Sequence, residues 1–528
     1  LLRSTVTLIF VRRNYADPFS SPAAKLSPAP MRSADFSITR VMQVLASSVM
    51  GQLIAILQTY LLVPLFLRAW GDHGYGRWLA LTALASYLSL LDLGGQNFVG
   101  NRLAFAFAQS RLDDFRATLS QGFTLFTLIS VGALAVVCAA LAIPVLSWDT
   151  SSKLIVFWYS SAVILAVPSG VLATSYAATG LSAQGALIGN IVRLISLALF
   201  ALALYRGCSA AQYAGLFFAT ALAGTLFIVG DLRRRLGSMF TPRLSIAAYR
   251  SSRALIGGSF DFWLFASAGA LNLQGLILLL SHFEGDRAVA LFATHRAGAS
   301  LITYAGNLLR PALWPEMTFL AARSDISRLK VLVSVAVRIS TFGAACVGAA
   351  ICVAAPLGYA LWTRSKLQLD VPLLAILSVQ AVLAAAWSTT GWPLLAANKP
   401  RFLAIFTAIN ALSTIVAAYV GLAMGLGVHA AATASLAADL LFGLIAFPLF
   451  ASAYLKVEVR AFVLDALRAL ACAVPFGCLA YLCSRFVRDD VLRMASFAVA
   501  TALLAWPTAR MLLRANELQR LTDIWKRR

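Results

Sequence analysis

Acidic residues are scarce in this chain. Asp and Glu number 21 against 43 Lys and Arg, and all charged types together make up 12% of 528 residues. A soluble domain carries roughly 25%, so the ordinary water-soluble class is excluded. Histidine is rarer still, and the four copies (His73, His282, His295, His429) show no H-x-x-x-H spacing. The seven cysteines form no C-x-x-C pair and lie mostly inside apolar runs. They read as small apolar fillers and not as metal ligands or disulfides. No Gly-rich phosphate loop follows a strand, which argues against ATP hydrolysis by this chain. No cofactor is expected. Long loops are missing as well: none exceeds roughly 25 residues. A membrane glycosyltransferase or glycan polymerase needs a sizeable outer region for its acceptor, so the enzyme class is disfavoured.

What fills the chain is hydrocarbon. It is 60% hydrophobic, with a mean hydropathy of +0.81. Apolar runs of the length that spans a bilayer recur from end to end. They predict an all-α, polytopic membrane protein of about 14 transmembrane helices. The net charge of +22 is spread over short loops between spans and forms no basic domain. It fits positive-inside bias and anionic lipid head groups, with no nucleic-acid partner.

The most basic stretch is central. Asp231 to Arg253 holds six arginines (Arg233, Arg234, Arg235, Arg243, Arg250, Arg253) between long apolar tracts. It reads as a cytoplasmic loop that divides the chain in two. The expected organisation is an N-terminal extension at 1–37 with a plausible start at Met31, then spans 1–6 at 38–230. A basic linker at 231–251 leads to spans 7–12 at 252–455, spans 13–14 at 456–515 and a cytoplasmic tail at 516–528. With both ends inside, loop cations divide about 17 inner to 10 outer, as orientation requires.

The halves also resemble each other. LRAWGDHGYGRWLA after the first span parallels LSHFEGDRAVALFA after the seventh: Gly71-Asp72 aligns with Gly285-Asp286, and Trp78 with Phe292. One span later, SRLDDFRATL parallels ARSDISRLKVL at nearly the same offset. Two parallel six-span halves with a path between them are a transporter plan.

Ionisable residues within spans are costly and mark function. Nearest the span centres are Arg193, Asp261, Arg296, Arg338 and Asp439, with Asp92, Arg310 and Glu316 nearer the inner ends. The arginines are candidate cavity ligands, since a guanidinium fork suits phosphate oxygens. The acids are candidates for ion coupling or for pairing with those arginines. Arg296 and Arg310 are 14 residues apart, close to four turns, which on one continuous helix places them on one face.

The stretch Pro64 to Gly95 carries a more specific pattern: Pro64 at the end of a span, Gly71, then Tyr75-Gly76-x-Trp78 and Asp92-x-Gly94. It resembles bacterial polysaccharide-biosynthesis membrane proteins, the O-antigen-type lipid-linked oligosaccharide flippases of the multidrug/oligosaccharidyl-lipid/polysaccharide exporter superfamily. ATHRAGASL, with Arg296, and RPALWPEM from Arg310 look like the second-half counterpart. Phe292 stands where the family usually has Tyr, and His295 beside Arg296 departs from the pattern. The resemblance implies two six-helix lobes in a V around a cavity, with two extra C-terminal helices outside. It implies movement of an undecaprenyl-diphosphate-linked oligosaccharide across a bacterial inner membrane. Partners would be that glycolipid, membrane lipids and polysaccharide polymerase or export proteins. Two alternatives stay open, a cation-coupled multidrug exporter of the same superfamily and a membrane glycan polymerase.

Loop charge makes the orientation testable. A cysteine at Thr241 should react with an impermeant maleimide only after the membrane is permeabilised. A cysteine at Asp149 should react in intact cells whose outer barrier is open. The reverse pattern overturns the orientation.

Overall fold

Hydrocarbon offers no hydrogen-bond partner, so each spanning segment must close its backbone bonds within itself as a helix. The computed structural model of the chain obeys this rule throughout. It describes residues 38–92, 95–143, 148–245, 260–310, 313–314, 317, 320–321, 325–397, 401–487 and 489–512. The N-terminal extension with Met31, the linker beyond 245, the start of span 7 and the tail lie outside the described residues.

Fifteen α-helices follow in order among the described residues. The first half holds α1 (Ile38–Ser86), α2 (Gly95–Ala108), α3 (Leu112–Ala142), α4 (Thr150–Ala178), α5 (Ser182–Tyr205) and α6 (Ala210–Leu236). The second holds α7 (Phe260–Phe283), α8 (Gly285–Asn307), α9 (Ile326–Thr363), α10 (Val371–Ala396), α11 (Arg401–Ala423), α12 (Val428–Ala438) and α13 (Leu444–Leu455). Last come α14 (Val459–Phe486) and α15 (Asp490–Leu512). Eleven described helices are long and apolar enough to cross a membrane. Eleven differs from the expected count of about 14 because spans 1 and 2 fuse into α1, because His295 and Arg296 lower the hydropathy of α8, and because some side chains of α15 lie outside the described residues. The fusion point is Gly71, with φ 73° and ψ −176°. Glycine reaches that region at little cost, so one residue turns the chain where a longer loop was expected.

Pairings in the first half recur in the second. Span 1 packs on span 5 (α1 on α5) as span 7 packs on span 11 (α7 on α11). Likewise α3 lies on α4 as α9 lies on α10, and α4 on α6 as α10 on α13. α14 and α15 pack on each other and on α9. α12 and α13 form one rod, joined by a π-helical turn at Asp439–Gly443.

The linker departs from a free solvated loop. After α6 ends at the positive-φ Gly237, the chain lies along α3. Arg116 Nε donates to the Ser238 carbonyl at 3.0 Å, and Thr124 Oγ1 to the Arg243 carbonyl at 3.1 Å. Phe240 is 2% exposed within the inner core of the first half. The sequence underrated this piece because six arginines masked one aromatic anchor.

The halves meet along α1. At the end that the loop charges assign to the outer side, and which keeps that label below, Leu62, Val63, Phe66, Leu67 and Tyr75 of α1 share one apolar cluster with Ala290 of α8, Tyr359 of α9 and Leu367. Hydrogen bonds cross the same seam. Trp362 Nε1 donates to the Tyr60 carbonyl at 3.0 Å, Tyr60 OH to the Ala297 carbonyl at 3.2 Å, and Lys366 Nζ to the Leu67 carbonyl at 2.6 Å. Arg287 pairs with Asp72 at 3.2 Å. On the inner side Trp263 Nε1 reaches the Leu90 carbonyl at 3.1 Å.

Gly76 sets how closely the outer seam shuts. A Cβ there would lie 1.7 Å from the Asp286 carbonyl oxygen, a backbone atom that cannot step aside. Gly76→Ala should therefore hold the seam apart. A cysteine at Phe66 should then react with impermeant maleimide from the outer side much faster in Gly76→Ala than in the parent. Equal rates would show that the seam closes without this contact.

Candidate functional site

Below the outer seam lies a cavity of about 370 Å³, lined by Ala55, Gln58, Thr59, Leu62, Val63, Phe66 and Tyr75 of α1 and by Tyr304 of α8. Gln58, Thr59, Ala55, Leu62 and Phe66 recur at three- and four-residue steps, so one face of α1 supplies most of the wall. Pro64 on α1 has no amide hydrogen, which frees the Tyr60 carbonyl from the helix ladder. That carbonyl is the one Trp362 binds, and the Tyr60 and Trp362 rings also touch, with centroids 4.9 Å apart. Among the described residues no group of three His, Cys, Asp or Glu converges as a metal ion would require.

Arg296 of α8 is not among the residues that line this cavity; Tyr75, which is, lies near enough to feel its charge. Nη1 donates to the Leu273 carbonyl of α7 at 2.9 Å, and the carbon of the fork sits 5.4 Å from the Phe292 ring centroid. Among the described residues no carboxylate lies within salt-bridge distance. A guanidinium has five donors, so most of the fork is left for a further acceptor. Phe292 therefore provides a cation–π floor and no competing hydroxyl.

The structure separates the other predicted residues. Arg310 does not share a helical face with Arg296, because α8 ends at Asn307 and a turn intervenes. Arg310 is exposed, 5.0 Å above the Trp314 ring. Arg193 reaches from α5 to the Gly51 carbonyl of α1 at 3.4 Å, one turn below Ala55. Beside it, Asn190 Nδ2 donates to the Ser47 carbonyl at 2.9 Å. Asp92 accepts from the Gln96 amide at 3.2 Å and so caps the start of α2. Asp261 and Glu316 have side chains outside the described residues.

Arg338 joins helices. It is 1% exposed on α9, with Nε 3.3 Å from Asp465 of α14 and Nη1 donating to the Leu512 carbonyl of α15 at 2.9 Å. Ser334 also binds the Asp465 carboxylate. Asp465 was not singled out in the sequence, although Asp465 and Arg468 in an apolar run signal an internal partner.

Asp439 sits in the π-helical turn, 5% exposed. Asn410 Nδ2 of α11 donates to one carboxylate oxygen at 2.9 Å, and Gln380 Nε2 of α10 to the other at 3.0 Å. Gln380 also binds Ser435 at 2.9 Å. Among the described residues no cation pairs with this acid. Gln380 and Asn410 are amides in the middle of apolar spans, a signal that the search for charges passed over.

A second polar cluster lies behind the outer seam. His295 is 1% exposed. Its Nδ1 lies 2.7 Å from the Leu291 carbonyl, and its Nε2 accepts the Asp370 amide at 2.9 Å. Asp370 caps α10 by accepting from the Leu373 amide at 3.0 Å, and His429 faces its carboxylate at 3.1 Å. Burial works to raise the Asp370 carboxyl, but the Leu373 amide and His429 outweigh it and hold its pKa below the ordinary carboxylate value.

By sequence, neither a known family pattern nor a curated protein matches this chain. By structure it shares its fold with several solved membrane proteins. The lipid II flippase MurJ, in an inward closed conformation, matches at a TM-score of 0.64 and 13% identity, over 89% of this chain and 100% of that one. A MATE protein in a straight conformation matches at 0.59 and 15% identity, over 79% and 96%. An outward-facing MATE multidrug resistance transporter matches at 0.57 and 13% identity, over 82% and 96%.

Arg338 should be worth more to stability than to transport. Removing one partner of a buried pair costs roughly 3–5 kcal/mol. Arg338→Ala should lower the unfolding temperature of the purified chain by several degrees and expose α15 to protease, while Arg296→Ala does neither. Unchanged stability in Arg338→Ala would point back to a cavity role.

Proposed function

We propose that this chain translocates an undecaprenyl-diphosphate-linked oligosaccharide across the bacterial inner membrane by alternating access, with both termini in the cytoplasm. It acts as a transporter and not as an enzyme. One observation carries the substrate reading: Arg296 has no carboxylate partner among the described residues, and the nearby cavity offers Gln58, Thr59 and Tyr304 beside Tyr75. A lipid diphosphate brings about two negative charges into a region where unpaired charge is expensive. Charge-assisted hydrogen bonds from an arginine fork offset that cost. The amide and hydroxyls suit sugar. The fold likeness to a protein described as a lipid II flippase supports the same reading.

Size supports the alternating step. A cavity of about 370 Å³ is near the low end for small-molecule pockets. It holds a diphosphate and not a repeat unit, so the halves must part to load cargo. A closed outer seam fits a state before release. Arg193 and Arg310 would then meet the cargo on its way from the inner side, while Arg338 serves packing.

A second reading, a cation-coupled exporter, is favoured by Asp439. Its buried carboxylate, held by two amides and no cation, is suited to take a proton or a small cation. Coupling at Asp439 is compatible with either cargo, and Arg296 favours an anionic one.

The test is at Arg296. Arg296→Ala should insert at normal abundance yet block export, so that the lipid-linked glycan accumulates on the inner leaflet. Arg296→Lys should keep part of the activity, because the charge survives without the fork. Normal export by an abundant alanine variant would remove Arg296 from the substrate path. Loss of the protein from the membrane would make it a packing residue.

A further inference from the structure

The cluster around His295 is built into the outer seam, yet no part of the substrate reading uses it. His295 is on α8, and the segment after α9, from Arg364 to Asp370, folds over it. That segment carries two closures onto the first half: Lys366 Nζ on the Leu67 carbonyl, and Leu367 in the shared apolar cluster. Its end is tied to α8 by the Asp370 amide, which donates to His295 Nε2 at 2.9 Å.

That bond defines the protonation state. Nε2 accepts, so it carries no hydrogen. Nδ1 carries the proton and donates to the Leu291 carbonyl at 2.7 Å. The closed seam therefore holds a neutral imidazole. Protonation adds a hydrogen at Nε2, which then points at the amide hydrogen of Asp370. Two donors face each other, and the amide loses its acceptor in a buried site, which is costly. His295 is 1% exposed, so water does not replace the lost bond.

The groups facing His295 come from each neighbouring element. Tyr359 of α9 lies 3.3 Å from Nδ1, and Thr294 of α8 holds that hydroxyl at 2.9 Å. Asp370 heads α10, and His429 of α12 stands beyond it. α1 brings Tyr75, which acts on Tyr359. The Asp370 carboxylate is already bound to the Leu373 amide and His429. An imidazolium could use it only by pulling Asp370 out of its cap on α10. His429, with a side chain 42% exposed, offers a proton an entry from the outer side.

We propose that His295 is a proton-responsive latch: neutral, it pins the Arg364–Asp370 segment and keeps the outer seam shut; protonated from the outer side, it releases that segment and the seam opens. The proposal rests on the alternating-access reading and assigns His295 a positioning role, with no contact to cargo. The ligand is a proton, and histidine is the side chain that titrates in the range such a switch needs.

The experiment uses the full chain in lipid nanodiscs without substrate. Genetically encoded spin labels at Ser151 and Met424, exposed positions at the outer ends of α4 and α11, report the outer separation between about pH 8 and about pH 5. The separation should lengthen reversibly on acidification. His295→Gln should keep the short distance throughout, whereas His429→Gln should still respond. Imidazole ¹⁵N spectra should show His295 with its proton on Nδ1 at high pH and charged at the same midpoint as the opening. A parent whose distance ignores pH, a His295→Gln variant that tracks the parent, or a charged His295 in the closed form would each overturn the proposal. Should His295→Gln fail to fold, Lys366→Met decides: it should give the longer distance already at high pH, and a short distance there would show that the segment holds nothing shut. With no substrate in the measurement, its failure leaves the Arg296 reading intact, and failure of Arg296→Ala leaves the latch intact.

Discussion

A helix in hydrocarbon has no spare hydrogen bonds, and the rest of this structure follows from that shortage. Each polar side chain placed in a span must find its partner inside the protein. Arg338 finds Asp465 and the end of α15. Asn190 finds the Ser47 carbonyl and Asp439 finds two amides. Arg296 is the exception that matters, with one backbone carbonyl for a five-donor fork. In water such a group would be ordinary, but inside a bilayer it is an acceptor-seeking charge at a fixed place. The three arrangements separate by what lies opposite among the described residues: a carboxylate for Arg338, two amides for Asp439, and a single backbone carbonyl for Arg296.

The fold was legible where composition decides it. Apolar runs of spanning length and the paired landmarks at Gly71-Asp72 and Gly285-Asp286 speak through hydropathy and spacing, which a sequence displays directly. The turn at Gly71 was visible as a Gly-rich loop, but its length was not, because one positive-φ residue suffices there. The linker was misjudged for a related reason: charge dominates its composition, and the one residue that docks it, Phe240, is a single aromatic among arginines.

The site was legible only in part. Arg296 came from a motif and Asp439 from its charge, and both lack an ionic partner among the described residues. Arg338 looked the same in sequence, since a buried ion pair and a ligand differ only in what lies opposite. Asp465 lies 127 positions away, and no local pattern links the two. The seam residues Tyr60, Trp362 and Lys366 were missed because aromatics and cations near span ends are ordinary anchors, and their role appears only when the two halves are brought together.

The outer seam also has an asymmetry. Trp362, Tyr60 and Lys366 are side-chain donors, but every oxygen they reach, on Tyr60, Ala297 and Leu67, is main chain. A main-chain acceptor is present whatever residue occupies the position. Half of each contact is therefore immune to substitution, and the seam can keep its closing bonds while the side chains on the accepting strand of contacts drift. Such a joint is inherited as backbone shape and leaves little trace in the letters of the sequence. That is how a fold can be matched over nearly the whole chain at 13% identity, where the sequence alone finds no partner.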